Sequence, residues 1–477
     1  MPMRLWCRIA DSLARQIADG VYAEGDRLPS IRDARAHFKV SISTIQKAYG
    51  ELENRRLAEA RPQSGYYVLA REQEGPDRSH ATAADTELAE PVSVNQGVFH
   101  LFSHEKSDGL INLGPAYPHA DLLPVAALQR ILRRLTRHHL ENILTPDGTV
   151  DIDLRLRRQL AQRMMQAGCE IGQDEVVTTA GCKDALALSL GAIVHRGDIV
   201  AVETPTFPGF LQLLEVLGAK ALEIPTDPVE GISIEALELA LEQWPVKAAV
   251  LTPTCQNPLG FTMPQARRKR LVALAHKARL PIIEDDIYGD LGASGPRPPA
   301  LKSFDRDGLV LYCSSVSKSL GGGLRVGWTV PGQFIDEVRR LKALHGVADN
   351  ALSAMVVAEF LAGGGYDRHL RRLVQRYAEN VRRLAAAVRR SFPEGTHVLM
   401  PTGGYVLWVR LPDGIESWAL YRAAMARNIS FLPGRLFSPS LRYPVHFRLS
   451  AAMPVTERIE TAVATLGRLA HDLLSAK

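Results

Sequence analysis

The chain has 477 residues, 46% of them hydrophobic and 23% charged, more than one ordinary domain needs and enough for two or three with a sizeable core. No apolar run approaches the roughly 18 residues of a transmembrane helix, the N-terminal stretch meets Asp11 too early for a signal peptide, and the five cysteines lack metal-ligand or disulfide-framework spacing. A membrane protein, a metal site and a small secreted scaffold are thereby excluded, and a reducing cytoplasm is expected. The net charge of +5 is unevenly spread: residues 1–71 hold twelve Lys and Arg against eight Asp and Glu, a surplus of four that attracts polyanions.

Within that basic piece, "GDRLPSIRDARAHFKVSISTIQKAYGELENRRL" (25–57) reads as helix, tight turn, helix. Pro29 and Ser30 start the first helix, with Asp33 placed to return the capping bond and Ile31, Ala34 and Phe38 as its inner face. Ser41 caps the second helix, in which Ile45, Ala48, Tyr49 and Leu52 recur at the spacing of a buried face. Ser43, Thr44, Gln46 and Lys47 are left outward at its N-terminal end, where a recognition helix meets base edges and phosphates. "LAEARPQSGYYVLA" (57–70) then predicts two short strands around Arg61–Gly65, a wing.

These stretches resemble the winged helix-turn-helix of GntR-type bacterial regulators over nearly all of residues 4–70. The resemblance implies binding to double-stranded operator DNA, with Arg32, Ser43, Thr44, Lys47 and Gly65 at the positions that touch it. Ile42 stands where that family often has arginine, which removes one expected phosphate or base contact.

The tract 72–105 is polar, contains Pro and lacks apolar periodicity. It cannot bury enough surface to offset chain entropy, so a linker is expected there, dividing an N-terminal domain (1–71) from a second one (106–477). Beyond it, short β-rich runs at 174–181, 198–205, 247–254, 280–286 and 308–315 alternate with helical stretches such as 264–278. Buried parallel strands with crossover helices are the economical reading, an α/β class. Tyr366–Phe392 predicts a long amphipathic helix with Leu370, Leu373, Tyr377, Val381, Leu384 and Val388 inward, its arginines forming a solvated face.

"SSVSKSLGGGLRVGW" (314–328) sets Lys318 between serines and a glycine run. If Lys318 forms a Schiff base with pyridoxal 5'-phosphate, other groups are required, and each has a candidate. The pyridine nitrogen needs a carboxylate, and Asp285 ends a predicted buried strand, where parallel folds place ligands. The phenolic oxygen needs donors, and Tyr288 and Asn257 are available. The phosphate needs helix-start amides and a cation. Gly181, Cys182 and Lys183 supply the amides, and Ser315, Ser317 and Arg325 complete that cup. Phe207 can cover the ring face.

Residues 106–477 thus resemble the fold-type I aminotransferases, the aspartate aminotransferase superfamily. The resemblance implies a mainly parallel large sheet with a smaller α+β lobe and a dimer-shared site. It assigns Lys318, Asp285 and Tyr288 the catalytic positions, Asn257, Phe207, Gly181, Cys182, Ser315, Ser317 and Arg325 the cofactor, and Arg448 a substrate α-carboxylate. Two departures stand out. Leu144 occupies roughly the point where many relatives carry a tyrosine, and Gly321-Gly322-Gly323 replaces Ala-Pro-Gly.

A winged helix joined to such a domain is similar to the MocR-type regulators, a GntR subfamily. That resemblance implies a homodimer that senses an amino acid or amine through external aldimine formation at Lys318. The residues equally permit a working aminotransferase whose DNA-binding head is secondary.

Overall fold

The computed structural model describes residues 5–18, 22, 25–38, 40–55, 57–61, 65–69, 109–145, 152–292, 296–346 and 349–475. The chain divides into two compact units, Met1–Asp85 and Thr86–Lys477. The linker expected over 72–105 and the tip of the wing lie outside the described residues.

Among the described residues, the smaller unit holds three helices, α1 (Leu5–Ala18), α2 (Ile31–Phe38) and α3 (Ile42–Asn54), and the hairpin β1 (Ala58–Arg61) and β2 (Gly65–Val68). Both anticipated caps form. The Ser30 hydroxyl donates to Asp33 at 2.6 Å and accepts from the Asp33 amide at 3.2 Å, and Ser41 Oγ accepts from the Thr44 amide at 3.2 Å. Each satisfies an amide that the helix start leaves without an intrahelical acceptor. Ile45, Ala48, Tyr49 and Leu52 are wholly buried and pack with Ile9, Leu13 and Ala34. Tyr49 pairs its burial with a bond, its hydroxyl donating to Pro29 O at 2.7 Å. Leu28 N and Val68 N exchange ladder bonds with Tyr66 O and Asp26 O, so the segment before α2 flanks the wing.

In the larger unit β3 is Ile111–Asn112, and an eight-stranded sheet has the order β4-β11-β10-β9-β8-β5-β6-β7. Its strands are β4 (Val177–Thr179), β5 (Ile199–Thr204), β6 (Lys220–Asp227), β7 (Gly231–Ile232), β8 (Val246–Leu251), β9 (Ile282–Asp285), β10 (Val310–Ser315) and β11 (Gly327–Val330). The five from β6 to β10 in this order, β7 aside, pair parallel. All five expected strand runs are present, but the run at 174–181 has an antiparallel neighbour. β4 joins the sheet through β11, which runs against both β4 and β10. β11 escaped the sequence reading because four residues after a glycine-rich tract carry too little periodicity. β5, β9 and β10 are buried on both faces, and the helices Cys182–Gly191 and Gln265–Ala278 follow β4 and β8 in the chain.

The smaller lobe is built on an antiparallel sheet ordered β12-β13-β16-β15 (His397–Leu399, Val406–Arg410, His446–Ser450, Leu432–Pro433), with β14 (Ile429–Ser430) pairing β3. The helix Gly365–Ser391 buries all six anticipated apolar positions. Among the described residues no helix is long and apolar enough to cross a membrane, and no cluster of three metal-ligating side chains forms.

Candidate functional site

Parallel strands end on one edge of the sheet, and segments beyond the C-terminal ends of β4, β5, β8, β9 and β10, with the segment after β3 and residues of β15 and β16, line a cavity of about 160 Å³. Its wall includes Cys182, Phe207, Asn257, Asp285, Tyr288, Ser317, Lys318, Arg325 and Arg448. These positions span more than half the chain, and the fold gathers them.

Strand alternation selects one acid from Glu284-Asp285-Asp286. Glu284 points to the opposite face, accepting from the Leu301 and Lys302 amides at 2.7 and 3.0 Å. Asp286 is held by Arg297 and by the Tyr312 hydroxyl. Only Asp285 faces the cavity. Its Oδ1 accepts from the Ile287 amide at 3.1 Å and from the Cys182 thiol at 3.4 Å. Burial raises its carboxyl to about 6, although both hydrogen bonds favour the anion.

Lys318 follows β10 and is half-buried because its side chain faces the cavity. Nζ donates to Ala116 O at 2.6 Å and stands 4.7 Å from the ring centre of Tyr117. Burial, and then the Arg448 charge, lower its ammonium to about 8. Its backbone is pinned from the helix Gly365–Ser391, where the Tyr377 hydroxyl donates to Lys318 O at 3.2 Å and Tyr366 meets the Ser319 hydroxyl at 2.8 Å. Tyr288 packs edge-on to Tyr405, centroids 5.6 Å apart, and Tyr405 donates to the same Ala116 carbonyl at 2.8 Å.

At one end, Gly181 (φ +100°) precedes the helix Cys182–Gly191. Its missing side chain has a reason: a Cβ there would stand 2.8 Å from Arg325 Nη2. Arg325 itself reaches over to Ala180 O. First-turn amides, a helix N-terminus and a guanidinium make an anion cup. Ser317 lines it, whereas Ser315 and Gly181 lie one step behind the wall. The Ser315 hydroxyl is 2.6 Å from that of Ser317 and accepts the Ser317 amide at 3.3 Å, so Ser315 orients Ser317.

At the other end Arg448 is buried on β16. Nη1 donates to Asn257 Oδ1 at 3.0 Å and Nη2 to Gly114 O, while Nε has no partner among the described residues. A buried guanidinium in a cavity wall, with one donor unsatisfied, is suited to an incoming carboxylate. Asn257 was expected at the cofactor's ring oxygen; here its Oδ1 is engaged by Arg448, and it joins the two subsites.

Sequence reasoning missed Tyr117, Gln212, Leu432 and Leu436 in the wall and Tyr405 and Tyr377 behind it. Two of the three glycines after the lysine are closely packed: a Cβ on Gly321 would stand 3.0 Å from Leu123 and one on Gly322 3.1 Å from the Tyr117 ring, whereas one on Gly323 would meet nothing within 4 Å. On the head, Ser43 and Lys47 are exposed on the first turns of α3 and Arg32 at the start of α2, while Thr44 and Gly65 are half-buried. Ser43 and Thr44 hydroxyls also bond Ser41 Oγ at 2.9 and 2.8 Å. Ile42 is 48% exposed beside them, and Leu144 is exposed.

Residues 109–466 match the family of class I and II aminotransferases, and residues 7–68 the gntR family of bacterial regulatory proteins. The chain belongs to the class I and II aminotransferase family. It carries a GntR-family helix-turn-helix, a DNA-binding module, at its N-terminal end. It is similar to the HTH-type transcriptional regulators YjiR and YdcR of Escherichia coli K12, at 36% identity over 98% of this chain and 99% of YjiR, and 37% over 99% of this chain and 100% of YdcR. Among solved structures it is similar to LysN, the α-aminoadipate aminotransferase of Thermus thermophilus, in complex with N-(5'-phosphopyridoxyl)-L-leucine. That likeness has a TM-score of 0.73 and 28% identity, over 80% of this chain and 95% of that one.

The cofactor of this aminotransferase domain is pyridoxal 5'-phosphate, and the cavity fits it by its own chemistry. It offers an amine of lowered basicity, a buried carboxylate, an anion cup whose cradle a Cβ would fill, and an unpartnered guanidinium donor. Cofactor uptake by the cofactor-free protein is expected to accelerate as pH rises through about 8, because only the neutral Lys318 amine is nucleophilic. Growth of the visible absorbance after mixing, followed across pH, measures it. The same shift sets a stability trend. An ammonium lowered below its unfolded value leaves the folded state with fewer protons, so the Lys318 contribution to stability falls as pH drops from about 10.5 to about 8.

Proposed function

We propose that the chain is a transcription regulator of the MocR type. Its head binds operator DNA, its aminotransferase-like unit holds pyridoxal 5'-phosphate and senses an amino acid or amine, and it works as a cytoplasmic homodimer. One observation carries the reading. A winged helix with both helix caps formed and a cavity with the full set of cofactor-type groups occur in one chain, over the same length as the YjiR and YdcR regulators.

When bound, the cofactor supplies an aldehyde that captures primary amines and a ring that withdraws electrons. Lys318 would hold the aldehyde end and Asp285, with Tyr288 and Asn257 nearby, the ring. The amides of Cys182 and Lys183, the Ser317 hydroxyl and Arg325 would hold the phosphate, and Phe207 would cover one face. Arg448 would clamp the ligand carboxylate. An amine lowered to about 8 exchanges its proton close to physiological pH, so Lys318 is suited to take one up when a ligand amine displaces it. The Ala116 carbonyl is engaged by both Lys318 and Tyr405. Displacement of Lys318 leaves that carbonyl with Tyr405 alone. Such an exchange regulates only if the ligand binds two states with different affinity, and a two-fold dimer would present its heads to paired half-sites.

An active aminotransferase is the second reading, favoured by the presence together of Lys318, Asp285, Tyr288 and Arg448 in the wall. The deciding experiment is an electrophoretic shift on the DNA upstream of the protein's own coding sequence, with and without cofactor and amino acids, run beside a keto-acid turnover assay. Ligand-dependent operator affinity without turnover supports the regulator; rapid turnover with ligand-independent DNA binding supports the enzyme.

On the head, Arg32, Ser43, Thr44, Lys47 and Gly65 would meet the DNA. Lys47 is exposed, and Lys47→Ala is expected to weaken binding about equally on operator and unrelated DNA. It should also lower the slope of log affinity against log salt by about 1. Fluorescence anisotropy across a salt series reads both. A loss confined to one base position would place Lys47 on a base edge.

A further inference from the structure

Resting on the assignment of Asp285 to the cofactor ring, we infer that the Cys182 side chain is a positioning residue: its thiol fixes Oδ1 of that carboxylate and leaves Oδ2 as the oxygen that meets the ring nitrogen. The Cys182 amide belongs to the phosphate cup, so one residue serves both ends of the same ligand.

The contact geometry carries this. Cys182 opens the helix Cys182–Gly191, and its Sγ reaches across 103 positions of sequence to Asp285 Oδ1 at 3.4 Å. The Ile287 amide donates to the same oxygen at 3.1 Å, so among the described residues both bonds fall on Oδ1. Cys182 and Asp285 are each buried in the cavity wall. A carboxylate anchored twice through one oxygen has its plane restrained before the cofactor arrives, with its second oxygen kept for the ring cation.

The thiol is suited to be a constant donor. Burial, and then the Asp285 charge, push its ionisation well above the ordinary thiol range, so it keeps its proton near neutral pH. Around Asp285 also stand Cys313, its register partner on β10, Glu203 of β5, Tyr288, Lys318 and Asp286, the last paired with Arg297. Burial raises Glu203 to about 8 and the Cys313 thiol to about 12, so both are mainly neutral at pH 7 and stay so as pH falls. Burial likewise pushes the Tyr288 hydroxyl up. The thiol bond favours the Asp285 anion, and a carboxylate that loses a donor is protonated at higher pH. Protonated Asp285 no longer pairs with a ring cation, which weakens retention of the cofactor.

The test follows release of pyridoxal 5'-phosphate from the full-length, cofactor-loaded protein as pH is lowered from neutral, read by ring absorbance after rapid desalting. Cys182→Ala and Cys182→Val remove the donor, the second with little loss of volume, and are expected to release the cofactor at a pH higher by about one unit. Cys182→Ser keeps a hydroxyl donor and is expected to release it at the native pH. Lys318, Asp286 and the phosphate are common to all variants and cancel in the comparison. Melting curves of the cofactor-free variants identify one that does not fold, and the other donor-free variant then carries the comparison. A serine variant shifted as far as the donor-free ones would overturn the inference and make Cys182 a packing residue. Asp285→Asn separates the two claims: weakened cofactor binding there, with native release in all three cysteine variants, would overturn the role of the thiol alone. Native cofactor binding in Asp285→Asn would overturn the assignment of Asp285 itself.

Discussion

Lys318→Ala is expected to abolish covalent retention of pyridoxal 5'-phosphate. Borohydride treatment of the cofactor-loaded native protein should leave a stable adduct on the peptide containing residue 318, and the variant should carry none. The expectation follows from placement: the amine faces the cavity, is lowered to about 8 and, among the described residues, gives its hydrogen bond to a carbonyl, Ala116 O. A neutral amine beside a carbonyl is nucleophilic, and an ammonium salt-bridged to a carboxylate would not be. The anion cup and Asp285 remain in the variant, so weak, dialysable binding of the cofactor should persist. Lys318→Arg separates charge from chemistry, since arginine keeps the cation but offers no free lone pair, and it should fail in the same way. Operator binding by either variant should survive but no longer respond to amino acids. An adduct on another lysine in Lys318→Ala would end this assignment.

Leu52→Ala is expected to disable the head and spare the cofactor unit. Leu52 is wholly buried on α3 among Ile9, Leu13, Ile45 and Ala48. Truncating such a leucine costs about 2–5 kcal/mol, in a domain of about 60 residues whose whole stability is roughly 3–9 kcal/mol at typical values per residue. Most of the head's margin would be removed. Calorimetry should show a transition lowered for one unit only, and gel shifts should lose the operator complex. Each unit has its own buried core, so cofactor absorbance and its response to amino acids should be unchanged. Loss of both activities together would show that the units fold as one.

Features that depend on neighbours within a few residues were legible in the sequence. The caps at Ser30 and Ser41, the inward face of α3, the outward placement of Ser43 and Lys47, and the apolar stripe of the helix Gly365–Ser391 all follow from a helical repeat of about 3.6 residues. Asp285 was legible as the end of a buried strand, and the order of Gly181, Asn257, Asp285, Lys318 and Arg325 along the chain was enough to recognise a cofactor site. Glycines were legible only in part: Gly181 was read as a turn, while the collision with Arg325 that requires it appears only in three dimensions.

Tertiary structure alone decided what surrounds that site. Arg448 bonds Gly114 and Asn257 across 334 and 191 positions of sequence, and Lys318 bonds Ala116 across 202. Tyr117, Leu432 and Leu436 carry no local mark of function, since an isolated tyrosine or leucine reads as core or surface anywhere. β11 was likewise invisible until its partners on both sides were in place. Local propensity acts over one helical turn or one strand pair, whereas these contacts exist because the fold gathers the carboxyl ends of the parallel strands, the segment after β3 and the strands β15 and β16 of the smaller lobe around one cavity.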